Sequence, residues 1–169
     1  AMVRRIAGNW NARLVFEPGR LIVGNAGVLL SRVIRVKPGV GDPFVIVDAA
    51  MNDLMRPALY DAWHRIEAAR PSGTRRTANV VGPVCETGDT FAMAREMDEV
   101  EAGDMVVFRT AGAYAAAMSS TYNSRPLTPE VLVEGNRWAV IRPRIDIDQL
   151  IAQDRVPDWL GGCADSPNS

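Results

Sequence analysis

Val33-Ile34-Arg35-Val36-Lys37, closed by Pro38-Gly39, and then Phe44-Val45-Ile46-Val47-Asp48, running on to Ala50, set the fold class. Both are short, β-branched and bounded by turn residues, the signature of strands. The same style repeats outward from them. Thr77–Val84 is strand-like and breaks at Gly82-Pro83. Met105–Thr110 follows a turn at Gly103-Asp104. Glu130–Val133 and Arg137–Arg142 pair across Glu134-Gly135-Asn136, a hairpin signal. Trp63–Arg70 fits helix or strand on pattern alone. Ala113–Met118 is alanine-rich and reads as a short helix, and Asp146 caps a second over Ile147–Gln153 with Leu150 and Ile151 inward. Short strands at this spacing predict a mainly β barrel or sandwich, with Greek-key-like connections.

The N-terminal stretch is of another kind. Leu14-Val15-Phe16 is apolar at every position, as parallel strands buried on both faces are. Glu17-Pro18-Gly19-Arg20 stops it, and Asn25 caps a helix through Ala26–Val33. Strand, loop and helix make one unit of an α/β fold, too little for a domain. The expected division is therefore 1–32, the edge of an α/β domain; 33–153, a β domain; and 154–169, a loose tail rich in Pro, Gly, Ser and Asn. Ala1-Met2 reads as a cleavage scar and an initiator, with no signal peptide after it.

Composition narrows the function classes. The chain has 169 residues, 47% hydrophobic and 23% charged, with a formal net charge of −1. Such a chain buries a real core, and it has no basic field to hold a phosphate backbone, which argues against nucleic acid. Its longest apolar run, Ala113–Met118, is far short of a membrane span. Two cysteines, Cys85 and Cys163, are too few for a disulfide framework or a structural zinc site, so a cytoplasmic setting and no metal are expected. Of the 19 basic residues only Lys37 is lysine, so chemistry that needs a lysine has one candidate.

Four segments carry groups with chemistry. Glu17-Pro18-Gly19-Arg20 offers a carboxylate and a guanidinium at a strand end, or a surface turn with a local ion pair. Met51-Asn52-Asp53-Leu54-Met55-Arg56-Pro57-Ala58-Leu59-Tyr60 places Arg56 and Tyr60 four apart, which also suits an ordinary exposed turn. Cys85-Glu86-Thr87-Gly88-Asp89 sets a thiol beside two acids; a thiol of reference pKa about 8.5 suits a proton donor, and equally a small core residue. A cysteine-protease reading would have to use His64, the single histidine. Gly112-Ala113-Tyr114 through Met118-Ser119-Ser120-Thr121-Tyr122-Asn123-Ser124-Arg125-Pro126 is dense in hydrogen-bonding groups that suit a phosphate or a capped surface loop.

In this order and at these intervals the four segments resemble the diaminopimelate decarboxylases, over roughly Leu14 to Arg142. That family belongs to the alanine racemase-like (fold-type III) pyridoxal 5'-phosphate enzymes. The resemblance implies a (β/α)8 barrel joined to a C-terminal β domain, a homodimer with a shared active site, and conversion of meso-diaminopimelate to L-lysine and carbon dioxide. It implies that Glu17 pairs with the pyridine nitrogen, and that Gly19, Arg20 and Tyr114 contact the cofactor. It further implies that Arg20, Arg56, Tyr60, Glu86 and Tyr114 contact the substrate. Cys85 is implied to return a proton to the carbon that loses carbon dioxide, and Cys85 and Glu86 to serve the neighbouring subunit. Asp89 ends the Cys-Glu motif without an implied role.

Departures from the family are large. A whole barrel takes about 250 residues, and this sequence holds only its expected last strand and helix. Lys37 does not match the motif of the family's Schiff-base lysine, and the glycine-rich phosphate loop is absent. The sequence is thus expected to be a C-terminal portion, inactive alone. Two other readings stand beside this one: a decarboxylase of ornithine, arginine or a carboxylated polyamine, and a non-catalytic β dimerisation module.

Overall fold

A computed structural model describes residues 2–11 and 13–160. Its centre is a six-stranded sheet of β1 (Leu29–Lys37), β2 (Phe44–Val47), β3 (Ile66–Ala68), β4 (Arg75–Val81), β5 (Thr90–Asp98) and β6 (Met105–Phe108), in the order β3-β6-β1-β2-β4-β5. All neighbours are antiparallel except β2 and β4. The long strand β1 changes partners along its length. Leu29–Arg32 pair with β6, whereas Val33–Lys37 pair with β2 through an irregular register between Val33 and Arg35. One bent strand thus joins two half-sheets that curl around a common core, the barrel-like form expected from the strand pattern. Val33, Val47, Leu54, Val80, Met97, Val106 and Phe108 fill that core, and the Phe91 and Phe108 rings meet at 4.7 Å, tilted by 53°. The two outer strands, β3 and β5, close on each other by side chains: the Ala68 amide donates to the Asp98 carboxylate at 3.0 Å.

A separate hairpin of β7 (Glu130–Glu134) and β8 (Arg137–Arg142) turns at Gly135-Asn136, as read from the sequence. Trp63–Arg70, ambiguous by pattern, contains strand β3, and β5 is a strand the sequence reading passed over. The short helices are α1 (Met2–Ala7), α2 (Arg20–Val23), α3 (Arg56–Tyr60) and α4 (Ile147–Ile151). Asp146 caps α4 through a reciprocal box with Gln149, but Ile151 points out, 61% exposed.

Two N-terminal expectations are corrected. Leu14–Phe16 is not a strand, and its side chains are exposed. A parallel strand needs neighbours on both sides for its amides and carbonyls, and none lies beside it among the described residues. Nor is Ala26–Val33 a helix: α2 passes into a single 3-10 turn at Gly24–Ala26, and Leu29–Val33 is already β1. Ser31 and Val33 are buried while Leu30, Arg32 and Ile34 are exposed; burial follows the two-residue period of a strand, not a helical stripe. Strand β1 therefore runs across the expected division between 32 and 33. Ala113–Met118 forms only a 3-10 turn, Ala116–Met118. Cys163 and the end of the expected tail, 161–169, together with Ala1, lie outside the described residues.

Candidate active site

Gly112 brings the first group of site residues together. Its amide donates to the Gly24 carbonyl at 3.0 Å, and Ala111 donates to Gly27 at 2.8 Å. Any Cβ on Gly112 would collide with the Val23 carbonyl and the Gly27 amide, so only glycine permits this backbone approach. The contact clamps α2, which begins at Arg20, against the segment leading to Tyr114. Tyr114 has a left-handed backbone, φ 60°, a conformation that costs a non-glycine residue energy and gathers at functional sites. Its hydroxyl lies beside Gly19, and the Arg56 guanidinium sits over its ring, 5.6 Å from the centroid. Gly19, Arg20 and Tyr114 line one open cleft of about 480 Å³, and the Glu130–Arg142 ion pair at the base of the hairpin, 2.6 Å long, stands at its side.

Arg56 opens α3, with Pro57 fixing the first turn. Its Nη1 is buried without a hydrogen-bond partner among the described residues. A guanidinium held in place by an aromatic face with a free donor is suited to an incoming carboxylate or phosphate.

The second group is on the loop after β4. Cys85 is a free, exposed thiol. Glu86, also exposed, accepts a 2.8 Å hydrogen bond from the Tyr122 hydroxyl, and that bond raises the Tyr122 pKa above 10.0. The loop is held from below by Asp89, whose carboxylate accepts the Val84 amide at 2.7 Å and the Met51 amide at 2.6 Å. Burial pushes Asp89 above the ordinary 3.8, against those two amides. Asp53 is raised likewise by burial, opposed by the Ala50 amide and the Arg125 charge.

His64 is buried and bonds through Nδ1 to the Arg109 carbonyl at 2.9 Å, which leaves Nε2 unpartnered. Burial, helped by the charges of Arg56, Arg20 and Arg95, lowers it below 6.5. A cysteine–histidine pair with Cys85 is therefore not formed.

The expected site residues fall into two clusters. Gly19, Arg20, Arg56 and Tyr114 meet; Cys85 and Glu86 share the other loop; Glu17 and Tyr60 are exposed and line neither. Sequence reasoning missed Tyr122, Glu130 and Arg142, and gave Asp89 no part. Tyr122 lay inside a quoted motif, but nothing in its spacing marks Glu86, 36 residues away, as its partner.

Residues 20–112 match the model of the pyridoxal-dependent decarboxylase C-terminal sheet domain. The chain belongs to this decarboxylase family. A curated relative, diaminopimelate decarboxylase of Zymomonas mobilis, is 53% identical over 94% of this chain and 38% of its own length. The diaminopimelate decarboxylase of M. jannaschii in complex with L-lysine has a TM-score of 0.83 at 36% identity, over 94% of this chain and 37% of that one. A lysine/ornithine decarboxylase from Vibrio vulnificus, complexed with cadaverine, reaches a TM-score of 0.57 at 25% identity over 63% of this chain and 29% of its own. The chain thus spans a little over a third of the length of the two diaminopimelate decarboxylases and less than a third of the Vibrio vulnificus enzyme. Among its described residues, no helix is long and apolar enough to cross a membrane.

Proposed function

We propose that this chain supplies the C-terminal half-site of a pyridoxal 5'-phosphate-dependent meso-diaminopimelate decarboxylase, which forms L-lysine and carbon dioxide. The observation that carries the reading is Arg56, a guanidinium stacked on Tyr114 with a buried, unpaired Nη1. Diaminopimelate differs from lysine by one distal carboxylate, and a fixed cation with a free donor is what such a group requires. Glu86 accepts hydrogen bonds and suits the distal ammonium. The similarity to diaminopimelate decarboxylases over 94% of the chain, against 63% for the lysine/ornithine enzyme, favours this substrate over ornithine or arginine.

The residues here fit one side of the cofactor. Arg20 and the Tyr114 hydroxyl beside Gly19 suit its phosphate; Glu17, three residues before Arg20 and outside the cleft, is the residue proposed for its ring nitrogen. When bound, the cofactor would supply an electron sink for the carbon that loses carbon dioxide. The covalent link is another matter. Lys37 is exposed at the far end of β1 from Leu29, about 26 Å away at the usual rise of a strand, while the cleft adjoins Gly24–Gly27. The chain alone is therefore inactive in this reading. Its Cys85 gives a proton to the carbon that has lost carbon dioxide.

Cys85 and Glu86 do not line the cleft that holds Arg20 and Tyr114. Their exposure supports a homodimer in which they complete the neighbouring subunit's site. The fold-level similarity to biosynthetic enzymes supports a cytoplasmic location. Carbon dioxide release from meso-diaminopimelate, lysine, ornithine and arginine by the intact protein tests the reading. Turnover of diaminopimelate alone is expected; preference for any of the others overturns the substrate, and turnover of none returns the chain to a non-catalytic dimerisation module.

A further inference from the structure

We infer that the buried turn Ala50–Asp53 is the positioning device of the site, and that Asp89, Asn52 and Asp53 act through it to fix Cys85-Glu86 and Arg56 relative to one another. The inference rests on the roles proposed above for those three residues. The turn is tied outward in three directions. Its Met51 amide donates to Asp89 in the Cys-Glu loop at 2.6 Å, and the same carboxylate holds Val84, next to Cys85, at 2.7 Å. Asn52 grips the serine-rich segment twice: its side-chain amide donates to the Ser120 carbonyl at 3.0 Å, and the Ser120 amide donates to the Asn52 carbonyl at 3.1 Å. Asp53 folds back on the Ala50 amide at 2.8 Å and meets Arg125 at 3.4 Å, while Arg125 also donates to the Asp48 carbonyl at 2.6 Å.

These ties converge on groups that touch substrate in the proposed site. Arg56 begins α3 three residues after Asp53. Tyr122, which holds Glu86, stands between Ser120 and Arg125. Asn52, Asp53 and Asp89 are 0%, 4% and 2% exposed, so the ends of the ties that these three residues supply are shielded from competing water. Gly82 leaves the room: any side chain there would meet the Asp89 carboxylate. Loops alone would let the thiol, the carboxylate and the guanidinium drift independently. Through one buried turn they move together, and misplacing a reacting group by about 1 Å costs on the order of 100-fold in rate.

The test uses Asp89→Asn in the intact protein. The amide keeps one acceptor oxygen and turns an N–H toward the second backbone donor, so one tie is lost. Arg125→Lys, half-exposed and easily accommodated, cuts another tie if the first variant fails to fold. Asp98→Asn is the structural control, because Asp98 is a buried carboxylate that joins β3 to β5 away from the site. Two readouts are taken: kcat and KM for meso-diaminopimelate, and the rate at which iodoacetamide alkylates Cys85. Asp89→Asn and Arg125→Lys are expected to lower kcat/KM by about 10- to 100-fold and to change Cys85 alkylation by at least about threefold. Asp98→Asn is expected to lower the melting temperature but to leave both readouts within about twofold. Folded Asp89→Asn and Arg125→Lys proteins with both readouts unchanged overturn the inference, as does an equal loss in Asp98→Asn. The alkylation rate reports the loop whatever the substrate, so it separates failure of the positioning turn from failure of the proposed reaction.

Discussion

The Arg56 guanidinium stands 5.6 Å from the centre of the Tyr114 ring, joining the first turn of α3 to the glycine-clamped segment after β6. Among the described residues, no carboxylate pairs with Arg56 at that contact. Such a cation is held by the aromatic face and kept free for an anion.

Arg56→Ala in the intact enzyme is expected to lower kcat/KM for diaminopimelate by roughly 10- to 150-fold, the loss of one charge-assisted hydrogen bond. Discrimination against lysine, which lacks the distal carboxylate, shrinks with it. Arg56→Lys keeps the charge but loses the planar fork and the stack, so it rescues only part of the loss. Steady-state kinetics on both amino acids make the check; unchanged selectivity would show Arg56 to be a surface arginine.

Cys85→Ala is expected to leave cofactor absorbance intact while kcat falls by about 10²–10⁴-fold, the usual contribution of a general acid. A mutant with full kcat would assign the proton to another group.

Gly112→Ala is a packing test. The new methyl meets the Val23 carbonyl and the Gly27 amide, backbone atoms that move only with α2 or β1. A loss of about 1–3 kcal/mol is expected, read as a lower melting temperature and a lower denaturation midpoint. Unaltered melting would mean that α2 is free to lift away.

How much of this was legible in the sequence depends on whether a signal is local. The strands around Val45, Val80 and Val106 and the hairpin turn at Gly135 announce themselves through β-branched runs and turn residues within a few positions. The Ala26–Val33 expectation failed because Leu29, Leu30 and Val33 satisfy a helical stripe as well as a strand, and only pairing with Phe108 and Val47 decides between them. Leu14–Phe16 failed for the opposite reason: its strand-like sequence has no strand beside it among the described residues. In the site, Arg56, Tyr114, Cys85 and Glu86 were visible as residue types in motifs. Asp89 and Asn52 stood in the same motifs without a legible role, because their partners, Met51 and Ser120, lie 38 and 68 residues away and are backbone groups with no side-chain signature.

His64 predicts an acid sensitivity. Burial lowers its pKa below the 6.5 of the unfolded chain, so the folded protein binds its proton less tightly. The stability this gives is fully present above pH 6.5 and declines as the pH falls through 6.5 toward the lower folded value. Thermal melting between pH 7.5 and pH 5 is therefore expected to fall more steeply for the native sequence than for His64→Gln. Parallel curves would place the acid sensitivity elsewhere.

Lys37 offers a direct chemical check. Treated with pyridoxal phosphate and borohydride, the 169-residue chain is expected to acquire no stoichiometric label by intact mass. One full equivalent on Lys37, with release of carbon dioxide from diaminopimelate, would contradict the reading of an incomplete site.

The contact between β3 and β5 sets where the barrel loosens first. Every other neighbouring pair in the sheet shares backbone ladder bonds, whereas this pair relies on Asp98 reaching the Ala68 amide and on Arg95 donating to the His64 carbonyl at 2.7 Å. Side-chain ties break without dismantling a ladder, so this seam opens at a lower free-energy cost than the rest. In deuterium exchange, the Ala68 amide should be replaced well before those of Val45 and Val80 at the centre of the sheet. High salt, which weakens the Arg75–Asp98 and Arg109–Glu67 pairs along the same edge, should widen the difference. The barrel behaves as a sleeve with a fastening, and its breathing has a direction.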